Sequence, residues 1–302
     1  MATRNAARAK TARPTRRTPP SRSGWSGWPL VGVAAIVAVL VAVIVVVQRG
    51  RGGPAGDGTA AYVGGDLHAA AAFDGRLFVS GHDGAAYSDA AGAWTQIGSL
   101  QGKDGMGWAT VAGAVLVGGH QGLFRSTDRG ASFSPAPGNL PVTDVHALGS
   151  AGSTVYLASP QQGLFVSTDA GRNWQPRSSA GQSFMGTMLV DPKDPNHVLA
   201  PDMSTGVTET RDGGQSWQPR GGPQGAMSLA WYPTDTRHLL AVGMGGAAES
   251  RDGGATWQQL AVPDGTAVVV VETSGALIAA VHTGDKAEMS RSTDGGRNWT
   301  RI

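Results

Sequence analysis

Two hydrophobic patterns divide the chain. From Trp28 to Val47 there are twenty residues without a charge (WPLVGVAAIVAVLVAVIVVV), whereas beyond residue 60 the apolar positions come in short runs broken by Gly, Asp and Ser. A helix of twenty residues rises about 30 Å, the thickness of a bilayer's hydrocarbon core. Apolar residues on every face over twenty positions argue against a core helix of a globular domain, whose apolar stretch is shorter or which keeps one polar side. A cleaved signal peptide has a shorter apolar region and small residues at its cleavage site, but this run ends in Val-Val-Val-Gln-Arg. The pattern predicts an uncleaved transmembrane signal anchor over residues 28–47. The later runs predict strands. One set reads GWATVAG, AVLVGGH and GLFRSTD from Gly107, and the next reads VHALGS, TVYLASP, GLFVSTD and NWQPR from Val145, with no room for a long helix.

These strand sets repeat. Ser167-Thr-Asp169-Ala-Gly171-Arg-Asn-Trp174 recurs as Thr210-Arg-Asp212-Gly-Gly214-Gln-Ser-Trp217, as Ser250-Arg-Asp252-Gly-Gly254-Ala-Thr-Trp257 and as Ser292-Thr-Asp294-Gly-Gly296-Arg-Asn-Trp299. A copy with Phe in place of Trp is Ser126-Thr-Asp128-Arg-Gly130-Ala-Ser-Phe133, and a decayed one keeps Asp89 and Trp94, with Tyr87 and Ala91 at the Ser and Gly positions. Intervals between the aspartates are 39, 41, 43, 40 and 42 residues, the length of a four-stranded propeller blade. The expected fold is all-β, a six-bladed β-propeller of four-stranded blades over residues 66–302, preceded by one transmembrane helix. The motif resembles the Asp-box, or BNR repeat, of sialidase-like, sortilin-like and photosystem II assembly factor-like propellers, and the chain is most similar to a bacterial group titled glycosyl hydrolases. In the box, the Asp can accept hydrogen bonds from the turn's backbone, the Gly takes a left-handed conformation, and the aromatic ring is buried between strands or blades. Its role is structural.

Charge follows the same division. The first 51 residues hold nine basic residues and no acidic one, so the remaining 15 basic residues face all 22 acidic ones and residues 52–302 carry a net −7. An acidic folded part argues against nucleic acid as a partner, which needs clustered Lys and Arg. Seven positive charges precede the apolar span, against Arg49 and Arg51 after it. This places the N-terminus in the cytoplasm and the propeller outside it, in a single-pass cell-membrane protein. Residues 1–27 read as a disordered basic cytoplasmic tail and 48–65 as a linker. With no cysteine, the propeller is held by its core alone. A monomer is expected, with the membrane as one partner through residues 28–47 and a protein or glycan ligand on the propeller face as the other.

Repeat phase sorts the remaining chemistry onto one mouth. His68 and His146 begin inner strands, and Met106 holds the matching place; His82, His120 and His282 occupy the turn after a second strand. Filling channel space and capping turns would account for these residues. As a metal site, thioether and imidazole together suit copper, as Cu(I). Asp66, Asp104 and Asp144 add negative charge two residues before the inner-strand His or Met. A glycoside hydrolase would instead draw a carboxylate pair from Asp66, Asp83, Asp104 and Asp144. The resemblance to sialidases does not extend to their substrate machinery: the Phe/Tyr-Arg-Ile/Leu-Pro motif is missing, and most arginines lie inside the boxes. The reading preferred is a binding or interaction module, with glycoside hydrolysis as the alternative.

Overall fold

The computed structural model describes residues 60–89 and 93–302. The anchor expected over residues 28–47, the basic tail and most of the linker lie outside the described residues. The described chain forms six antiparallel sheets, each built on a four-strand meander. Blade 1 comprises Leu67–Phe73, Arg76–Gly81, Gly84–Ser88 and Trp94–Gln96; blade 2 Gly107–Val111, Ala114–Gly119, Gly122–Ser126 and Ser134–Pro135; blade 3 Ala147–Ala151, Thr154–Ser159, Gly163–Ser167 and Gln175–Ser178. Blade 4 comprises Leu189–Val190, Val198–Asp202, Gly206–Thr210 and Gln218–Gly221; blade 5 Ser228–Tyr232, Asp235–Gly243, Gly246–Ser250 and Gln258–Gln259; blade 6 Thr266–Val271, Leu277–Thr283, Lys286–Ser292 and Thr300–Arg301. Each inner strand packs against those of both neighbouring blades, and the inner strand of blade 6 returns to that of blade 1. The ring therefore closes with six blades.

The core is divided as the blades are. Six apolar clusters sit one to each interface between successive blades, and each receives one aromatic residue of the repeat: Phe133, Trp174, Trp217, Trp257, Trp299 and, at the seam of blades 6 and 1, Trp94. None of the six is solvent-exposed.

The box chemistry explains the aromatic's placement. In blade 2 the buried Ser126 hydroxyl donates to Asp128 Oδ1 at 2.6 Å and accepts from the Gly130 N–H at 2.8 Å. Asp128 also accepts from the Ser132 N–H at 3.0 Å. The same three contacts recur around Thr210 and Asp212 and around Ser250 and Asp252. Gly130 sits at φ 84°, where a Cβ would lie 2.3 Å from the Phe78 ring. Only glycine meets both demands.

Three details depart from the regular pattern. The linker is shorter than expected: Ala61–Tyr62 forms a strand on Ala287 and Lys286 of blade 6, and Ala61 and Val63 are fully buried. Ala61 and Val63 join the apolar cluster between blades 6 and 1, which ties the start of the propeller to its last blade. The inner strand of blade 4 is interrupted: Gly186–Thr187 pairs parallel with blade 3 before Leu189–Val190 joins its own sheet. In the first repeat the register runs through Ser88, opposite Leu77 as Ser126 is opposite Val115. Ser88, not Tyr87, holds the Ser place, so Asp89 is one position early for a box aspartate. The loop to Trp94 is one residue shorter than its counterparts, yet the ring still reaches its interface.

Candidate metal centre

Inner strands begin, and second strands end, at the mouth opposite the boxes. This topology brings His68 at the start of blade 1, the loop carrying Asp104 and Met106 into blade 2, and the loop carrying Asp144 and His146 into blade 3 together with the turns holding His82 and His120. Tight backbone packing sets the loops. Gly119 ends the second strand of blade 2 where a Cβ would lie 2.0 Å from the Asp104 carbonyl, so any other residue would push the Asp104 loop outward.

Two adjoining groups of donors result. In the first, His68 Nε2 lies 3.5 Å from Asp104 Oδ1 and His82 Nδ1 lies 4.0 Å from Asp104 Oδ2. In the second, His146 Nε2 lies 3.1 Å from Asp144 Oδ1 and 3.1 Å from His120 Nε2, and His120 Nε2 lies 3.8 Å from Asp144 Oδ1. Within each group the ligand atoms fall inside 4.8 Å of one another. His120 Nδ1 touches Asp104 Oδ2, so its ring stands between the two. The Asp104 side chain is fully buried. His68 Nε2, both Asp104 oxygens and Asp144 Oδ1 are buried without a hydrogen bond among the described residues, although imidazole nitrogens stand close by. The atoms are near one another but not aligned on one another.

Burial, then the repulsion of Asp144, pushes the Asp104 carboxyl up to about 7. Burial, then His82, His120, His146 and His282, pushes His68 down to about 3, and burial lowers His146 also, against the pull of Asp144. Neutral imidazoles with free lone pairs are the form a metal requires.

Of the residues singled out from the sequence, His68, His82, His120 and His146 converge, and His282 is close enough to act on His68. Met106 is buried. The donors brought together are imidazole nitrogen and carboxylate oxygen, a harder set than the thioether-containing one expected. Of the four aspartates, Asp104 and Asp144 join the cluster. Asp66 is half-buried and Asp83 exposed, and neither pairs with a cluster side chain among the described residues. The sequence pattern does not single out two further residues: Gln121 accepts the Asp104 N–H at 2.9 Å, and Gln161 Nε2 donates to Asp144 Oδ2 at 2.6 Å. Both lie in turns after second strands, the position that flagged His82 and His120; an uncharged amide carries no such signal, but Gln121 fixes the Asp104 backbone and Gln161 orients the Asp144 carboxylate.

No family model matches the chain, and no curated protein matches it. Among solved structures it is similar to the GH74 xyloglucanase from Xanthomonas campestris, at 18% identity and TM-score 0.54, over 81% of this chain and 46% of that one. It is also similar to the extracellular domain of a hybrid two-component system from B. thetaiotaomicron, at 12% identity and TM-score 0.52, over 83% and 36%. YCF48 from Cyanidioschyzon merolae aligns over 82% of this chain and 87% of that one, at 14% identity and TM-score 0.49. The chain spans less than half the length of the GH74 chains it matches. At these identities the likeness is one of fold, and the fold is a six-bladed β-propeller of the kind the Asp-box resemblance implies.

Proposed function

We propose that the protein is a membrane-anchored, extracytoplasmic binding module whose His/Asp mouth takes a divalent first-row transition cation. The observation that carries this reading is the triangle of His120 Nε2, His146 Nε2 and Asp144 Oδ1, with sides of 3.1, 3.1 and 3.8 Å. Ligands about 2.0–2.1 Å from a tetrahedral ion stand about 3.4 Å apart, so the three atoms already approximate one face of a tetrahedron. Its fourth corner is left for water or for a carboxylate or hydroxyl of a protein or glycan ligand. Imidazole with carboxylate suits Zn²⁺, Co²⁺ or Cu²⁺, and the net −7 of residues 52–302 favours a cation at long range. The anchor rests on the apolar run and its flanking charges.

A second reading has one observation in its favour. A buried carboxyl held near 7 beside another carboxylate is the arrangement of a glycosidase's general acid. Against it, imidazoles crowd Asp104 on several sides. Calorimetric titration of the metal-free full-length protein with Zn²⁺, and the visible spectrum with Co²⁺, separate the two readings. Tight binding with a tetrahedral Co²⁺ spectrum is expected, lost when His68 and His146 are both changed to Ala. Unchanged binding in that double variant overturns the metal reading. Xyloglucan hydrolysis abolished by Asp104→Asn, without added metal, would establish the enzyme instead.

A further inference from the structure

The two donor groups are not separate, and the residue joining them is His120. Its Nδ1 touches Asp104 Oδ2, within the group of His68 and His82, while its Nε2 lies 3.1 Å from His146 Nε2 and 3.8 Å from Asp144 Oδ1. The rings form a continuous row, His68 to His82 at 6.1 Å between centroids, His82 to His120 at 6.3 Å, and His120 to His146 at 5.0 Å. A single ion cannot be bound by both nitrogens of one imidazole, because their lone pairs diverge in the ring plane. Each nitrogen of His120 therefore addresses its own group.

We infer that the mouth holds two divalent transition cations at once, the first on His68, His82 and Asp104, the second on Asp144 and His146, with His120 bridging them through its two ring nitrogens. This rests on the metal reading above and deepens it. Binding the second ion displaces the remaining ring proton of His120 to solvent, so the bridge is an imidazolate. Charge supports the count, since two carboxylates and an imidazolate offset three of the four positive charges of two dications. Asp104 and Asp144 repel one another in the metal-free protein, and cations between them remove that repulsion. The Gln161 amide, on Asp144 Oδ2 at 2.6 Å, leaves Oδ1 to face the second ion.

The test loads the full-length protein, purified in detergent, with Cu²⁺ and compares bound metal, by elemental analysis, with the spin count by electron paramagnetic resonance. Two equivalents are expected at saturation, with the spin count well below the copper content because an imidazolate couples the ions. His120→Ala is expected to hold uncoupled copper only, at full spin count. His120 is partly exposed, so folding should survive, and His120→Asn with thermal unfolding of both variants checks this. One equivalent at saturation, or two at full spin count in the parent, overturns the bridge while the metal reading stands. Failure of the parent to bind Zn²⁺ or Cu²⁺ at all refutes both.

Discussion

Ser126 and Ser132 both donate to the Asp128 carboxylate, at 2.6 and 2.5 Å, but from different environments. Ser126 is 1% exposed and also accepts the buried Gly130 N–H at 2.8 Å; Ser132 lies in solvent. Ser126→Ala leaves that N–H buried without a partner, a loss of about 1–3 kcal/mol. It also removes a hydrogen bond to a charged group, most of which water on the exposed carboxylate restores. The sum is about 2–3 kcal/mol, or roughly 5–10 °C in Tm for a domain of this size. Ser132→Ala loses an equally short bond between exposed partners and should cost below about 0.5 kcal/mol. Urea unfolding followed by tryptophan fluorescence, with the slopes checked for equality, measures both. Equal losses for the two variants, or less than about 1 kcal/mol for Ser126→Ala, would refute the view that the boxes stabilise by satisfying buried turn amides.

The box aspartates also make stability acid-labile. Hydrogen bonds to the carboxylates hold Asp252 and Asp294 down to about 2 and Asp128, Asp169 and Asp212 lower still. Folded values below the unfolded value of about 3.9 mean stability that is present above pH 4 and lost as pH falls towards 2; a urea midpoint that stays level across that interval contradicts this. Removing residues 1–59 should leave the melting temperature unchanged, whereas removing 1–65 also strips the Ala61–Tyr62 strand and should lower it by several degrees; equal melting of the two truncations argues against the tie to blade 6. A reporter fused after Ile302 should be active only outside the cytoplasm, with the protein retained in washed membranes; activity inside would reverse the orientation drawn from the flanking charges.

What the sequence reveals depends on how local each cause is. A box is legible because its residues satisfy one another within eight positions, and the interval between boxes counts the blades. The Ala61–Tyr62 strand is two residues long and pairs with a segment more than two hundred positions away, so no pattern within the window announces it. The first box shows the converse: Asp89 and Trp94 align it in one dimension, but the pairing of Leu77 with Ser88 places the box register one residue later. Repeat phase was enough to bring the histidines to one mouth. It does not reveal that Asp104 is fully buried among them, which depends on Gly119 letting the loop lie flat, or that Gln121 holds the Asp104 backbone and Gln161 the Asp144 carboxylate.

The other two histidines also meet carboxylates. His197 lies between Asp191 and Glu209, at 3.2 and 2.8 Å, and His238 contacts Glu249 at 2.5 Å while stacking on Tyr232. In both places an arginine completes the arrangement: Arg211 and Arg220 reach Glu209, and Arg251 reaches Glu249 at 2.8 Å. A permanent cation thus stands beside Glu209 and beside Glu249. At the mouth, Asp104 and Asp144 meet imidazoles and no Arg or Lys among the described residues. Blades 4 and 5 thus carry their own permanent positive charge, while blades 1 to 3 place two carboxyl groups where the described residues supply no Arg or Lys. A fully buried carboxylate left without a cation is costly, which is why burial pushes the Asp104 carboxyl up to about 7. The missing charge is the one a divalent ion would bring.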